Sequence, residues 1–393
     1  MAVAAPPTTS ARPPFWRDAR VLRWAFQIVV LLAVLALLYW LYNNVVTNLR
    51  ASRLPRGFGF LDQPYGSDIR GSAFRPAQPI RDAFVVGYFN TIRVIAVGIP
   101  AATIIGIVVG ISRLSDNALV RAFGTLYVEV LRNIPPLVWI FLTYFVILTG
   151  NLPPITEALE PLGLAVFSNR GIYLPWFEGG PNLVPFLLTM GLGLGAGVVV
   201  AAWRTRVNER TGQPHRRVLW LLVTFAIIAA AGYFIFGGPV AGTIPGREGR
   251  LIQGGIEVNL SYAALTFALL MYTASHIAEI VRGAILAVHK GQNEAANALA
   301  LTTFQRYRFV ILPQAFRIMI PPLASQYLNI TKNSSLAVVV GYYEITRVYQ
   351  TVTNNAAPPP QAIIVLMALY LTFSLGISLI ANIINRRLQL ETR

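Results

Sequence analysis

Cysteine is absent from the 393 residues, and lysine is nearly so: Lys290 and Lys332 are the only two. Without a thiol the chain has no disulfide and no thiolate metal site, and its redox compartment stays open. Histidine is scarce as well, with three in all, and only His276 falls inside a long apolar stretch. Neither His-Glu-x-x-His nor Gly-x-Ser-x-Gly occurs, which leaves little for a metal site or a nucleophilic triad. Gly-x4-Gly-Lys-Ser/Thr is missing too, so the chain shows no means of binding ATP itself. Charge is short throughout. Charged residues make up 12% of the chain, where a soluble domain carries about 25%. Acids are the scarcer sign, 16 against 32 bases.

What is present is apolar length. Hydrophobic residues make up 55% of the chain, and several runs reach the roughly 20 residues needed to cross a bilayer. The alternation of a barrel strand is missing, so the spanning elements are helices. Eight spans are expected, at about 24–45, 86–112, 123–149, 183–203, 218–237, 261–286, 322–341 and 362–385. The first follows Arg17, Arg20 and Arg23. It is too long for a signal-peptide core and no small-x-small site follows it, so it reads as a retained anchor with Trp24, Trp40 and Tyr42 at its ends. Residues 1–23 form an N-terminal segment whose Pro/Ala/Thr-rich start is expected to be disordered.

A net charge of +16 would suggest nucleic acid in a soluble protein. Here the arginines lie between spans, where they orient the chain and meet anionic lipid headgroups; nucleic acid is not an expected partner. With the N-terminus inside, 19 basic residues fall on the inner side and 10 on the outer. That bias predicts both termini inside. The 46–85 loop runs against it with six arginines, and its Gly57–Ile69 part is expected at an interface. Ile134-Pro135-Pro136-Leu137 and Ile320-Pro321-Pro322-Leu323 are expected each to open a helix, since proline in the first turn forfeits no hydrogen bond.

One connection stands apart. Residues 288–313 are helix-favouring and contain Glu294-Ala295-Ala296-Asn297-Ala298-Leu299-Ala300, then Val310-Ile311-Leu312-Pro313. This resembles the EAA loop of ABC-importer permeases, whose pattern is Glu-Ala-Ala, three residues, Gly, nine residues, Ile-x-Leu-Pro. Glu294, Ala295, Ala296, Leu312 and Pro313 match; Val310 replaces Ile, and Ala300 replaces Gly. Further words place the resemblance in the polar amino-acid branch: Asn90-Thr91, Tyr127-Val128-Glu129-Val130-Leu131-Arg132, Ala278-Glu279-Ile280-Val281-Arg282-Gly283 and Thr331-Lys332-Asn333-Ser334-Ser335-Leu336. An N-terminal span with Gly57-Phe58-Gly59-Phe60-Leu61 and an inserted hairpin look like the general L-amino-acid subfamily.

The resemblance implies an all-α, polytopic transmembrane bundle of type I importer architecture. Residues 24–85 are then an extra N-terminal span and loop, 86–385 the permease domain with 183–237 inserted, and 386–393 a cytoplasmic tail. It also implies a permease subunit in a bacterial inner membrane, importing L-amino acids by alternating access. The implied partners are a second homologous permease, with a heterodimer favoured, a homodimeric ATPase that holds ATP and Mg, and an extracytoplasmic binding protein. The chain itself is expected to bind no cofactor and to catalyse nothing. The competing class is an ATP-independent secondary transporter or channel for small polar solutes, against which the EAA-like loop argues.

Within the loop, Ala295, Ala298 and Leu299 fall on one helical face, which suits a closely approaching partner. Glu294 is expected in the first helical turn, compensating the dipole. Thr302-Thr303-Phe304-Gln305 has the form of a capping box. Ala300 in a left-handed turn costs about 1–2 kcal/mol, so either a right-handed turn at Leu301–Thr302 or two nearly continuous helices is expected. Thr273, Ser275, His276 and Glu279, with Lys332, Asn333, Ser334 and Ser335, put polarity at expected mid-membrane positions. Two readings stay open for them. They line a substrate path, or Lys332 pairs with Glu279 or a carbonyl while the others bond between helices. Glu129 and Arg132 read as an ion pair at a helix end, and Arg93 as a cation reaching for the interface.

Overall fold

The computed structural model describes residues 16, 18–51, 57–212, 216–355 and 359–388. Residues 1–15 and 389–393, which hold the expected disordered start and the end of the expected tail, lie outside the described residues. In chain order the helices are α1 (Ala19–Ala51), α2 (Ile80–Ser112), α3 (Ala118–Asn133), α4 (Pro136–Phe141), α5 (Leu183–Thr211) and α6 (Arg217–Ile235). They continue with α7 (Leu260–Leu286), α8 (Lys290–Ala298), α9 (Thr303–Arg306), α10 (Leu312–Asn333), α11 (Ile345–Asn354) and α12 (Pro359–Leu388).

Six of these, α1, α2, α5, α6, α7 and α12, are long and apolar enough to cross a membrane. A seventh span exists if α3 and Pro136–Leu148, which is α4 with the π turn that follows it, count as one, but they are bent by 102°. The third span expected at 123–149 is therefore a broken one. The cause is local: Pro135 forces Ile134 into extended backbone (φ −107°, ψ 129°), which ends α3, and Pro136 then opens α4. The expected seventh span is corrected as well. Its helix does not open at Pro321-Pro322; α10 runs straight through them. Ala315 and Met319 on one side of the prolines and Ile330 and Thr331 on the other are buried, so packing holds the helix across the break.

The bundle is organised on α2 and α7, which run side by side in the same direction. A Cβ placed on Gly106 would lie 2.5 Å from Ile277 Cγ2, and one on Gly110 would lie 2.7 Å from the Ala278 carbonyl oxygen. Such backbone-to-backbone approach is how helices associate where lipid removes the hydrophobic drive. α10 runs antiparallel to both, with Ile330 against Gly98 and the Tyr327 hydroxyl 2.9 Å from Thr103 Oγ1. α5 and α6 pack chiefly on each other, and the apolar side chains of α1 face outward along its length.

At the end where α2 and α7 begin, the chain adds strands: β1 (Val166–Ser168), β2 (Gly171–Leu174), β3 (Trp176–Gly179), β4 (Val240–Thr243), β5 (Gly246–Glu248), β6 (Leu251–Gln253) and β7 (Ile256–Val258). They form antiparallel groups β1–β2–β7, β3–β4 and β5–β6. They add a small β cap to the expected helical bundle, with Arg247 tied to Glu160 at 2.6 Å. The Gly57–Ile69 segment folds back onto the same end, burying Phe60, Tyr65 and Ile69 against α2, α11 and α12.

Glu344, between α10 and α11, is fully buried there. It accepts hydrogen bonds from the Arg347 backbone N–H at 2.9 Å and the Tyr370 hydroxyl at 2.7 Å. Burial nevertheless pushes its carboxyl pKa up to about 7. A carboxyl raised above its unfolded value binds its proton more tightly in the folded chain. Its contribution to stability is then full below about pH 4.5 and lost as pH rises through about 7. A Glu344→Gln variant should flatten that slope and melt higher than the parent at pH 8; equal melting profiles of parent and variant across pH 4.5–8 would refute the assignment.

Candidate functional site

The segment that follows α7 is the most defined feature at the opposite end of the bundle. His289 caps α8, its Nδ1 accepting from the Gly291 N–H at 3.1 Å. Glu294 is thus the fifth residue of α8 and not in its first turn, which corrects the expected dipole role; that interaction decays within the first turn. Ala296 is buried, while Glu294, Ala295, Ala298 and Leu299 are exposed, Leu299 at 74%. The expected apolar face therefore exists and is uncovered.

Ala300 ends α8 in the left-handed conformation, with φ +53°. The Leu301 N–H donates to the Ala296 carbonyl at 3.1 Å and the Ala300 N–H to the Asn297 carbonyl at 2.9 Å. These are the two bonds of a Schellman motif with alanine at the position glycine favours. The right-handed turn expected at Leu301–Thr302 is not formed, because those bonds and the cap that follows over-determine the reversal. The Thr302 hydroxyl accepts from the Gln305 N–H at 3.3 Å, and Gln305 Oε1 accepts from the Thr302 N–H at 2.9 Å, completing the capping box. Ala300→Gly should relieve about 1–2 kcal/mol of strain. The variant is expected to melt above the parent in detergent, and a lower melting point would contradict the left-handed turn.

α9 does not stop at Arg306. A π turn, Tyr307–Ile311, carries it into α10 with right-handed backbone throughout, and Pro313 follows in the first turn of α10. Such a single π turn inside a helix is rare, and here it lies directly before Pro313, which lacks the N–H that the regular ladder needs. Thr303 to Asn333 is consequently one helical run. Arg306 Nη1 donates to Asn297 Oδ1 at 2.9 Å and Gln314 Nε2 to Gln292 Oε1 at 3.0 Å, tying α8 to that run. Val288 and Ile311 join the core that holds Ile277, Val281, Ala315 and Met319. Leu312 is half-buried and Pro313 exposed. Phe304 is 69% exposed, with the Arg308 guanidinium 5.8 Å from its ring centre. Sequence reading missed it, although an aromatic inside a polar capping box was the available signal.

The eight polar residues do not converge. Thr273, Ser275 and Ser334 are buried within the chain; Ser275 Oγ donates to the Tyr272 carbonyl at 2.6 Å and Ser334 Oγ to the Thr331 carbonyl at 2.7 Å. Ser335 Oγ likewise donates to the Lys332 carbonyl at 2.7 Å. His276 is half-buried with its ring 4.7 Å from Tyr272, edge to face. Asn333 is half-buried and Lys332 exposed.

Lys332 does not pair with Glu279. The facing contacts of α2 with α7 and α10 put the two roughly 13 residues, about 20 Å, apart along the bundle. Glu279 instead bonds Arg113, just past α2, and accepts from Arg282 Nη2 at 2.6 Å. It clamps the α8 end of α2 to α7, and it is not at mid-span. Arg113, 166 residues away in sequence, was not foreseen. Glu129 also differs from expectation, accepting from Asn133 Nδ2 at 3.3 Å with no bridge to Arg132 among the described residues. No group of three potential metal ligands occurs among the described residues.

Residues 102–390 match the family described as "Binding-protein-dependent transport system inner membrane component". The chain is 39% identical to the putative amino-acid ABC transporter permease protein YhdX of Escherichia coli K12, over 94% of this chain and 95% of that protein. It is 36% identical to the general L-amino acid transport system permease protein AapQ of Rhizobium johnstonii, over 94% and 92%. It is 35% identical to the glutamate/glutamine/aspartate/asparagine transport system permease protein BztB of Rhodobacter capsulatus, over 96% of each.

Proposed function

Because the chain belongs to the family of binding-protein-dependent transport system inner membrane components, we propose that it is a permease subunit of an ATP-driven importer of L-amino acids. The observation that carries this reading is the uncovered Ala295–Ala298–Leu299 face, presented on α8 between the His289 cap and the Schellman motif. Full-length similarity to amino-acid permeases supports the substrate class.

A separate ATPase dimer, holding ATP and Mg, docks on 288–313 from the cytoplasm. A second, non-identical permease completes the membrane unit, and an extracytoplasmic binding protein delivers the substrate. ATP closure moves the loop. Thr303–Asn333 is one helical run, so that displacement passes to α10 without a hinge. Through Val288, Ile311 and Ala315 it also reaches α7. The Glu279 clamp carries α2 along with it. ATP energy thereby biases two arrangements of the same helices, inward-facing and outward-facing. Lys332, Asn333 and His276 remain the candidates for lining the path toward the partner permease.

The reading requires the α8 end to face the cytoplasm. In this cysteine-free chain, Glu209→Cys and Asn293→Cys should react with an impermeant maleimide only after the membrane is opened, and Arg250→Cys without opening. Labelling of Asn293→Cys from outside would leave no ATPase able to reach the loop and would end the proposal.

A further inference from the structure

A cavity of about 680 Å³ opens at the β end, away from the α8–α9 loop. Its walls come from three parts of the chain. α2 gives Asn90 and Arg93, α7 gives Tyr262, and the segments that interrupt the bundle give Trp176 and Glu257. Arg70, in the turn before α2, completes the rim.

The floor is built by hydrogen bonds. Asn90 Nδ2 donates to the Tyr343 carbonyl at 2.8 Å, and the Tyr342 hydroxyl donates to the Asn90 carbonyl at 3.2 Å. The Tyr262 hydroxyl donates to the Arg93 carbonyl at 3.2 Å. Arg93 Nη1 donates to Asn90 Oδ1 at 3.3 Å, so one donor of its guanidinium is used and the rest are free to bond a guest. Among the described residues no carboxylate forms an ion pair with Arg93, Arg70 or Lys332, whereas Arg81, Arg113, Arg247 and Arg282 each have at least one. Two guanidinium groups and one carboxylate thus share a cavity walled by aromatic rings.

Those groups match the constant part of an amino acid. A guanidinium fork accepts a carboxylate bidentately, which a lysine does not. A carboxylate and aromatic faces suit an ammonium. Rings of Trp and Tyr receive side chains of varied shape without demanding one partner. We propose that this cavity is an outer receiving site for the α-amino-acid zwitterion. Arg93 and Arg70 hold the α-carboxylate, Glu257 holds the ammonium, and the side chain lies against Trp176 and Tyr262. It rests on the amino-acid import reading and gives the inserted strands a role, since β7 and the start of β3 supply part of the wall.

The test uses the assembled permease pair with its ATPase in nanodiscs, without binding protein. L-Glutamine is the probe, because its neutral side chain leaves the α groups as its only charges. Binding is followed by tryptophan emission, with Trp176→Phe identifying the local signal. L-Glutamine should change the emission, whereas its α-carboxamide and its N-acetyl derivative should not. Arg93→Gln and Arg70→Gln should each raise the Kd about tenfold or more, the effect of losing a charge-assisted bond. Arg81→Gln, whose parent residue pairs with Asp62, should leave the Kd unchanged. Should Arg93→Gln fail to assemble, Arg70→Gln on its exposed turn decides. An unaltered Kd in the arginine variants, equal binding of the blocked analogues, or no binding by the parent overturns the site. Import measured in parallel separates the two ideas: a parent that imports without such binding refutes the cavity alone, and a parent that imports no amino acid refutes the reading beneath it.

Discussion

A Gly110→Leu chain is expected to yield little folded protein, because the position has no room and no soft neighbour. Its Cβ would stand 2.7 Å from the Ala278 carbonyl oxygen and 2.8 Å from Val281 Cβ, and both residues are buried. Backbone on one side and a stiff β-branched side chain on the other leave separation of α2 from α7 as the only relief. Overpacking a well-filled contact costs about 1–3 kcal/mol even where side chains can move; here about 3 kcal/mol or more is expected. The loss is compounded because the Glu279 clamp bridges the same two elements. Gly191→Leu is the control. A Cβ there meets nothing within 4 Å, and leucine favours helix over glycine. After a heat step in detergent, size-exclusion should recover Gly191→Leu like the parent and Gly110→Leu hardly at all. Equal recovery would mean that α2 and α7 do not approach as described.

The second large effect concerns docking. Ala295 is exposed on α8, so tryptophan there should leave the fold within about 0.5 kcal/mol of the parent. It should instead hold an approaching surface off by the size of an indole. If the Ala295–Ala298–Leu299 face fits a groove of the ATPase, the loss belongs to the centre of that interface. About 2 kcal/mol or more is then expected, near thirtyfold in Kd. Glu294→Lys should act through charge reversal toward the partner and not through the α8 dipole, since Glu294 lies in the second turn. Tagged Ala295→Trp should purify with its partner permease but without the ATPase. Recovery of ATPase at the parental ratio would show that 288–313 is not where it binds.

Local signals explain what the sequence revealed. Apolar length marks the spans because crossing hydrocarbon is a property of about twenty adjacent residues, whatever they later touch. The capping box at Thr302–Gln305 was readable because both partners lie three residues apart. Proline was readable only in part. The same four-residue word breaks the chain at Ile134, where the backbone is extended, and is carried through as helix at Ile320. Ala300 shows the opposite error: intrinsic cost argued against the left-handed turn, and two backbone bonds plus the following cap outweighed it. The strands were invisible because three or four residues carry too little alternation to register. Glu279 was read as lining a path or pairing with Lys332, whereas its partner Arg113 comes from another helix end, which no short-range pattern encodes.

ATP-dependent uptake tests the central claim most directly. The chain should be reconstituted with its partner permease and ATPase in proteoliposomes loaded with ATP and Mg, and given labelled L-amino acid with the binding protein outside. Accumulation is predicted with ATP, none with a non-hydrolysable analogue, and none for the Ala295→Trp complex. Accumulation that proceeds equally without ATP, or without the ATPase subunit, would contradict the account and identify a secondary transporter.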